Sequence, residues 1–418
     1  MRIKVENIQK TIDYIVVLMI LLMSKTVYFG IVNYWRTFYT FAGIAIVALI
    51  LNRGKIQKQN FRIFGVFIAL DGICTACAVL VYRDMSAPMA DIYILLVMLI
   101  VVMAVSTLSV ERFFQCYTGI MFIVAIESLI SYSLYFVNQN IPRDLSLKLS
   151  SGSTSYIASW YHTWGINNVL YNRNPGPFWE PGAYQGFLMV ALIIVLFRYR
   201  DVEHPKLKII AYLVTLMSTA STTGYILTVV LLVTMYGNFS TIFSLDKFKN
   251  VSIGKKWIAR IITLLVFIAV TAFVVTSNNI SNKLLVANAS SIIRTRDLVN
   301  GIAAVISNPM GVGIGNYRNS LEMQWNIRAT SNGLLQMFYT YGLPFGVYYC
   351  YRTISFFKKN IVGNSWRMLV IGIILAVCHM TEGYYWLAFF MAFLFEMKSD
   401  VAVGERKKSE LKKEEVHK

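Results

Sequence analysis

Arg173, Trp179 and Glu180 lie in one short stretch, NRNPGPFWEPGAYQGFL (172–188), which also places three prolines within seven positions. Glu180 has Phe178 and Trp179 before it and Pro181 after it. An apolar setting of this kind makes a carboxylate a better proton acceptor, suited to general-base work on a hydroxyl. The same residue also stands where it could cap a helix starting near Gly182, with Pro181 in the first turn. The two uses are compatible.

Arg173 is one of several arginines that could hold an anion. Arg294, Arg296, Arg318 and Arg328 follow later in the chain. A guanidinium is always charged and offers a rigid fork of donors matched to phosphate oxygens, the chemistry needed to neutralise a leaving pyrophosphate. One well-placed donor of that type contributes roughly 3–4 kcal/mol to a transition state. The alternative use of such arginines is to anchor helix ends by snorkelling to a polar surface. His162 lies among Trp160, Tyr161 and Trp164; aromatic groups of this type stack on sugar faces and equally form interfacial belts.

The elements that carry these residues are apolar. Hydrophobic residues make up 56% of the chain and charged residues only 14%, far below the quarter expected of a soluble domain. About twelve stretches approach the length needed to cross a bilayer: 11–32, 35–51, 61–82, 91–110, 114–137, 182–198, 207–219, 224–236, 258–277, 333–351, 367–379 and 384–397. The expected fold is therefore all-α, a single polytopic membrane domain over 1–397 followed by a charged tail over 398–418. No small-residue cleavage pattern follows the first run, so it reads as an uncleaved span.

The net charge of +18 is a topology signal rather than a nucleic-acid footprint. When the connections are assigned to alternate sides, one set carries 28 Lys and Arg and the other carries ten. The positive-inside rule puts the richer set, with both termini, in the cytoplasm. The outer set contains eight arginines against two lysines. Its two long segments, about 138–181 and 278–332, are where function is expected, with a shorter one around His379, Thr381 and Glu382. ATP is absent from that side, so the energy-rich bond must arrive with the substrate, and neither cofactor nor metal is expected.

Within the second segment, SIIRTRDLVNGIAAVIS (291–307) has the spacing of an amphipathic helix lying along the surface. NPMGVGIGNY (308–317) then breaks it. Its G-x-G-x-G run lacks the flanking strand and helix of a dinucleotide loop, so its glycines serve close packing instead. Asp71 and Glu127 fall within spans, where ionisable groups are costly and either functional or buried in pairs; on depth alone, Lys25 could partner either. Cys74 and Cys77 are read as small packing residues.

Arginine followed by GPFWEPGAYQGFL resembles the outer-loop signature of Wzy-type polymerases of bacterial exopolysaccharide, capsule and O-antigen. The stretch from Arg294 through NPMGVGIGNY and SNGLLQMFYTYGLPFG to Gly346 resembles the wider O-antigen ligase/polymerase superfamily, and LVTLMSTASTTGYILTVVLL resembles its paired-helix segment. The resemblance implies a GT-C-like glycosyltransferase in the bacterial cytoplasmic membrane, with two long outer loops. It would extend undecaprenyl-pyrophosphate-linked oligosaccharides among membrane lipids, alongside a chain-length regulator and a flippase. Glu180 and Arg173 would be catalytic, and Arg294, Arg296, Arg318, Trp179, His162 and Asn332 would bind pyrophosphate or glycan.

Two positions depart from the ligase pattern. Ser331 stands where ligases usually carry histidine, and Ser221, Thr222 and Thr223 replace their Ser-Arg pair. These favour the polymerase branch. A ligase that transfers finished glycan, and a non-enzymatic flippase or transporter, are the competing expectations.

Overall fold

The structure is a computed structural model describing residues 2–26, 34–51, 56–83, 85, 87–137, 147–148, 154–156, 161–162, 173–235, 242, 289–314, 316, 332–362 and 364–399. These residues are mostly helical: α1 (Arg2–Leu22), α2 (Tyr34–Leu51), α3 (Lys58–Tyr82), α4 (Ala87–Ser106), α5 (Val110–Val137), α6 (Pro181–Phe197), α7 (Pro205–Ser218), α8 (Thr222–Thr234), α9 (Ala289–Ser307), α10 (Gly333–Asn360), α11 (Ser365–Thr381) and α12 (Ala388–Met391). Two of them, Lys58–Tyr82 and Val110–Leu134, are long and apolar enough to cross a membrane. The all-α expectation holds for the described residues, with one small addition. Three short strands, β1 (Leu147–Lys148), β2 (Thr154–Tyr156) and β3 (Tyr161–His162), form an antiparallel meander with Lys148 opposite Thr154 and Tyr156 opposite Tyr161.

Eleven of the twelve apolar stretches contain helix, while 258–277 lies outside the described residues. The first is shorter than expected: α1 ends at Leu22, and Thr26 forms an isolated bridge with Phe178. The last, 384–397, departs most. Apart from α12 and a 3-10 turn at Ala392–Leu394 it is irregular, yet every residue from Leu387 to Phe395 is buried. Irregular backbone survives at such depth only where protein groups satisfy it. Here Ser24 Oγ accepts from Phe389 N at 2.9 Å, and Asn60 Oδ1 accepts from Glu396 N at 2.8 Å.

α6 is the centre of the bundle. Its sequence is apolar all round, and fifteen of its seventeen residues are buried, as such a helix requires. α3 shows the opposite pattern. Its buried positions, Asn60, Ile63, Phe67, Asp71, Cys74 and Ala78, form one stripe at helical spacing, while Phe61, Val66, Ile68, Ile73, Leu80 and Val81 face outward.

α10 is two helices in one run. Gly342 adopts φ 83°, ψ 162°, a region open essentially to glycine, and Pro344 follows within the helix. The carbonyls freed by this break are taken up by the NPMGVG loop: Val312 N donates to Tyr339 O at 3.0 Å and Gly313 N to Thr340 O at 3.1 Å. Leu343 N in turn donates to Pro309 O at 2.7 Å. Gly311 and Gly313 have positive φ, so these glycines do serve close packing. α9 packs on α10 through Gly301, Ala304 and Val305, and leaves Val299, Ile302 and Ile306 exposed.

Connections that the charge count puts on one side meet at one end of the bundle. There Arg198 bonds Glu111 and the Asn360 carbonyl, and Val110 N donates to Lys398 O. Glu396 accepts from Arg352 at 3.0 Å and Lys359 at 2.6 Å. Arg352 is buried and also donates to Leu394 O at 2.9 Å, fastening the end of the irregular segment. Replacing Arg352 with alanine leaves the Leu394 carbonyl without its donor and Glu396 with Lys359 alone, and a loss of about 1–3 kcal/mol is expected. A thermal melt in detergent reads it; an unchanged midpoint contradicts the latch.

Candidate functional site

At the opposite end, the proline-rich loop is fastened into the bundle rather than draped over it. Asn174, fully buried, organises the turn. Its Oδ1 accepts from Gly176 N at 2.9 Å, and its Nδ2 donates to Ser128 Oγ of α5 and Ser218 Oγ of α7 at 3.2 and 3.0 Å. Gly176 has φ +53°, and a Cβ there would stand 2.6 Å from the Tyr184 ring. Phe178 stacks on Phe187 with centroids 4.0 Å apart. Arg173 Nε donates to Thr219 O at 3.0 Å, linking the loop to the α7–α8 turn.

Glu180 emerges exposed at the end of this loop. It occupies the N-cap position of α6, but its side chain makes no cap hydrogen bond, so the capping use is not realised. Its Oε1 instead accepts from Trp179 Nε1 at 3.2 Å. The same indole donates to Glu382 Oε2 at 3.3 Å. Glu382 terminates α11 and reaches across to the start of α6, where a Cβ on Gly182 would lie 2.8 Å from its Oε1. Burial raises the pKa of Glu382, and the hydrogen bond and charge it shares with Glu180 raise it further; the Trp179 bond and the Lys25 charge oppose this. Lys25 lies beyond the end of α1 with Nζ 4.8 Å from the Trp179 ring and 5.1 Å from the Trp386 ring, a double cation–π arrangement.

The SNG stretch forms the adjoining wall. A Cβ on Gly333 would fall 2.2 Å from Glu382 O, so only glycine allows this approach. Asn332 caps α10, its Oδ1 accepting from Leu335 N at 3.0 Å. Beside it opens a cavity of about 380 Å³ whose lining includes Tyr93, Ile314, Gln336, Tyr341, Tyr385 and Trp386. Half of its lining residues are aromatic, and the Gln336 amide is among the rest.

A second polar region lies among α5, α6 and α8. Ser221 caps α8 and donates to Gln185 Oε1 at 2.5 Å, and Ser131 donates to Glu127 at 3.0 Å. Glu127 Oε2, Gln185 Nε2 and Thr222 Oγ1 are buried with no hydrogen-bond partner among the described residues.

The structure thus brings Trp179, Glu180 and the Asn332–Gly333 wall together, with Arg173 on the same loop. Arg296 is exposed on α9, and Arg294 lies on α9 with its side chain outside the described residues. His162 is in β3, its side chain likewise outside them, and Arg318 and Arg328 lie outside them altogether. Lys25 partners neither Asp71 nor Glu127; the carboxylates whose charge it feels are Glu382 and Glu180. Asp71 instead faces Asp91 of α4, which accepts from Thr75 Oγ1. Sequence reasoning placed function near Glu382 without giving it a role, assigned Lys25 other partners, and missed Trp386 and Gln336. The signal for Glu382 was a lone acid in a four-residue polar break, TEGY, between two apolar runs.

No family model matches the chain. No curated protein and no solved structure matches it either.

Proposed function

We propose that this chain is a polytopic glycosyltransferase of the cytoplasmic membrane that polymerises undecaprenyl-pyrophosphate-linked oligosaccharide repeat units at the outer face. The membrane part of the reading is supported by α3, which turns Asn60 and Asp71 inward and apolar side chains outward, as a lipid-facing helix does. It is supported too by connections rich in Lys and Arg meeting at the end opposite the proline-rich loop.

The observation that carries the functional reading is the meeting of Glu180 and Glu382 under one indole, beside an aromatic cleft, in the loop whose motif resembles those polymerases. A sugar hydroxyl of the incoming unit attacks the anomeric carbon of the growing chain. Glu180 accepts the hydroxyl proton, the bond from that carbon to the pyrophosphate oxygen breaks, and the electron pair leaves with the lipid pyrophosphate. Arg173 neutralises that leaving group from the same loop. The bond arriving with the substrate supplies the driving force.

Deleting the gene tests the reading: cells should retain single repeat units and lose long polymer. Finished polymer left on its lipid carrier would instead indicate a ligase, and unprocessed units trapped at the inner face a flippase. Arg173→Lys should keep the positive charge but lose the forked geometry, lowering turnover of purified lipid-linked repeat unit about 100-fold. Full-length polymer at normal yield from stable Arg173→Ala protein would remove Arg173 from the mechanism.

A further inference from the structure

We infer that Glu382 is a positioning residue for Glu180, the two carboxyls forming one acid–base unit that carries a single shared proton under the Trp179 indole. The inference rests on the polymerase reading for its chemistry, but the pairing stands on geometry. Two carboxyls from distant parts of the chain, one after the proline-rich loop and one at the end of α11, reach the same Nε1–H at 3.2 and 3.3 Å. Gly182 keeps clear the space that Glu382 Oε1 occupies, since a Cβ there would stand 2.8 Å away. Gly333 does the same for the Glu382 backbone.

Two adjacent carboxyls cannot both ionise cheaply, so one retains its proton and donates it to the other. Burial decides which. Glu382 is half-buried where Glu180 is exposed, and burial raises its pKa, so Glu382 is the one that keeps the proton. The groups facing the pair among the described residues are Lys25, from beyond α1, and Tyr384, whose hydroxyl donates to Gly182 O and Ala183 O at 3.0 and 2.9 Å. Lys25 balances the one remaining negative charge. The hydrogen bond from Glu382 holds the Glu180 carboxylate in a fixed orientation. When the acceptor sugar loses its proton, Glu180 takes it and the pair becomes neutral. The proton then passes from exposed Glu180 to solvent, restoring the singly protonated state.

Glutamine at 382 keeps a donor and removes the ionisation, which separates positioning from mere packing. In turnover of purified lipid-linked repeat unit, wild-type rate should fall on the alkaline side as Glu382 loses its proton. Glu382→Gln should retain most of the neutral-pH rate and lose that alkaline fall. Glu382→Ala should lose at least tenfold at every pH. A wild-type-like rate and pH profile in Glu382→Ala, or an alkaline fall unchanged in Glu382→Gln, would overturn the pairing.

A second reading does not depend on catalysis. The fluorescence of Trp179, taken as the difference between wild type and Trp179→Phe, should titrate above the ordinary carboxylate range, and the transition should vanish in Glu382→Gln. If the wild type makes no polymer, the polymerase reading fails and this titration alone decides the pairing; its absence overturns the shared proton.

Discussion

Glu180→Gln protein should fold as the wild type does and lose polymerisation about 10²- to 10⁴-fold, the range for removing a general base. The structure separates the two effects. Glu180 makes no cap hydrogen bond to α6, so glutamine there removes none. A glutamine oxygen can still accept from Trp179 Nε1, as Glu180 Oε1 does at 3.2 Å. The variant also removes a carboxylate that faces Glu382.

The pKa of Glu382 is raised in the fold, first by burial and then by Glu180. A raised carboxyl pKa means the folded state holds its proton more tightly than the unfolded chain. The associated stability is complete below the ordinary value, about 4.3, and is lost as pH rises through the folded value. Removing the Glu180 charge weakens one cause of the shift, so Glu180→Gln should lose less stability than wild type over that rise. Melting in detergent across that range, paired with turnover of purified lipid-linked repeat unit, reads both. Unchanged turnover would leave Glu180 with no part in the chemistry.

Gly342→Ala should destabilise the protein by about 3–5 kcal/mol, an effect confined to special backbone positions. At φ 83°, ψ 162° an L side chain is strained whatever the space around it. The space is also absent: a Cβ would stand 2.6 Å from the Met310 carbonyl carbon and 3.0 Å from Cys74 Sγ. Neither the backbone of the NPMGVG loop nor α3 can yield without breaking the bonds from Val312 and Gly313 to the freed carbonyls of α10. The displaced loop would disturb Thr340 and Tyr341, which line the aromatic cleft, so activity should fall together with stability. A melting point within a few degrees of wild type would show that the break in α10 tolerates a side chain.

Much of this architecture was legible from hydropathy alone, because a helix of about twenty residues without charge announces itself by length and composition. Helices α2 to α8 fall within a few residues of their apolar runs. The close-packing role of the glycines after α9 was equally legible, since Pro309 and three glycines in nine residues exclude a continuing helix. Two runs misled. The 333–351 stretch contains Gly342-Leu343-Pro344, a sufficient signal for a break, but apolar content concealed it. The 384–397 stretch carries no breaker after Gly383, and its aromatic residues fit a span. It is irregular because its neighbours supply the hydrogen bonds, including those from Ser24 and Asn60, that a helix would otherwise make internally.

The amino-acid sequence by itself determined the helical class, the apolar runs, the asymmetry of charge between connections and the place of Arg173 and Glu180 on one stiff loop. Each of these depends on residues close together in the chain or on counts. The tertiary structure alone decided that Glu180 caps nothing, that Lys25 lies over Trp179 and Trp386, and that Glu382 shares the Trp179 donor. Those contacts join residues about 150 to 360 positions apart, a separation at which the chain carries no local periodicity and only packing sets the distance.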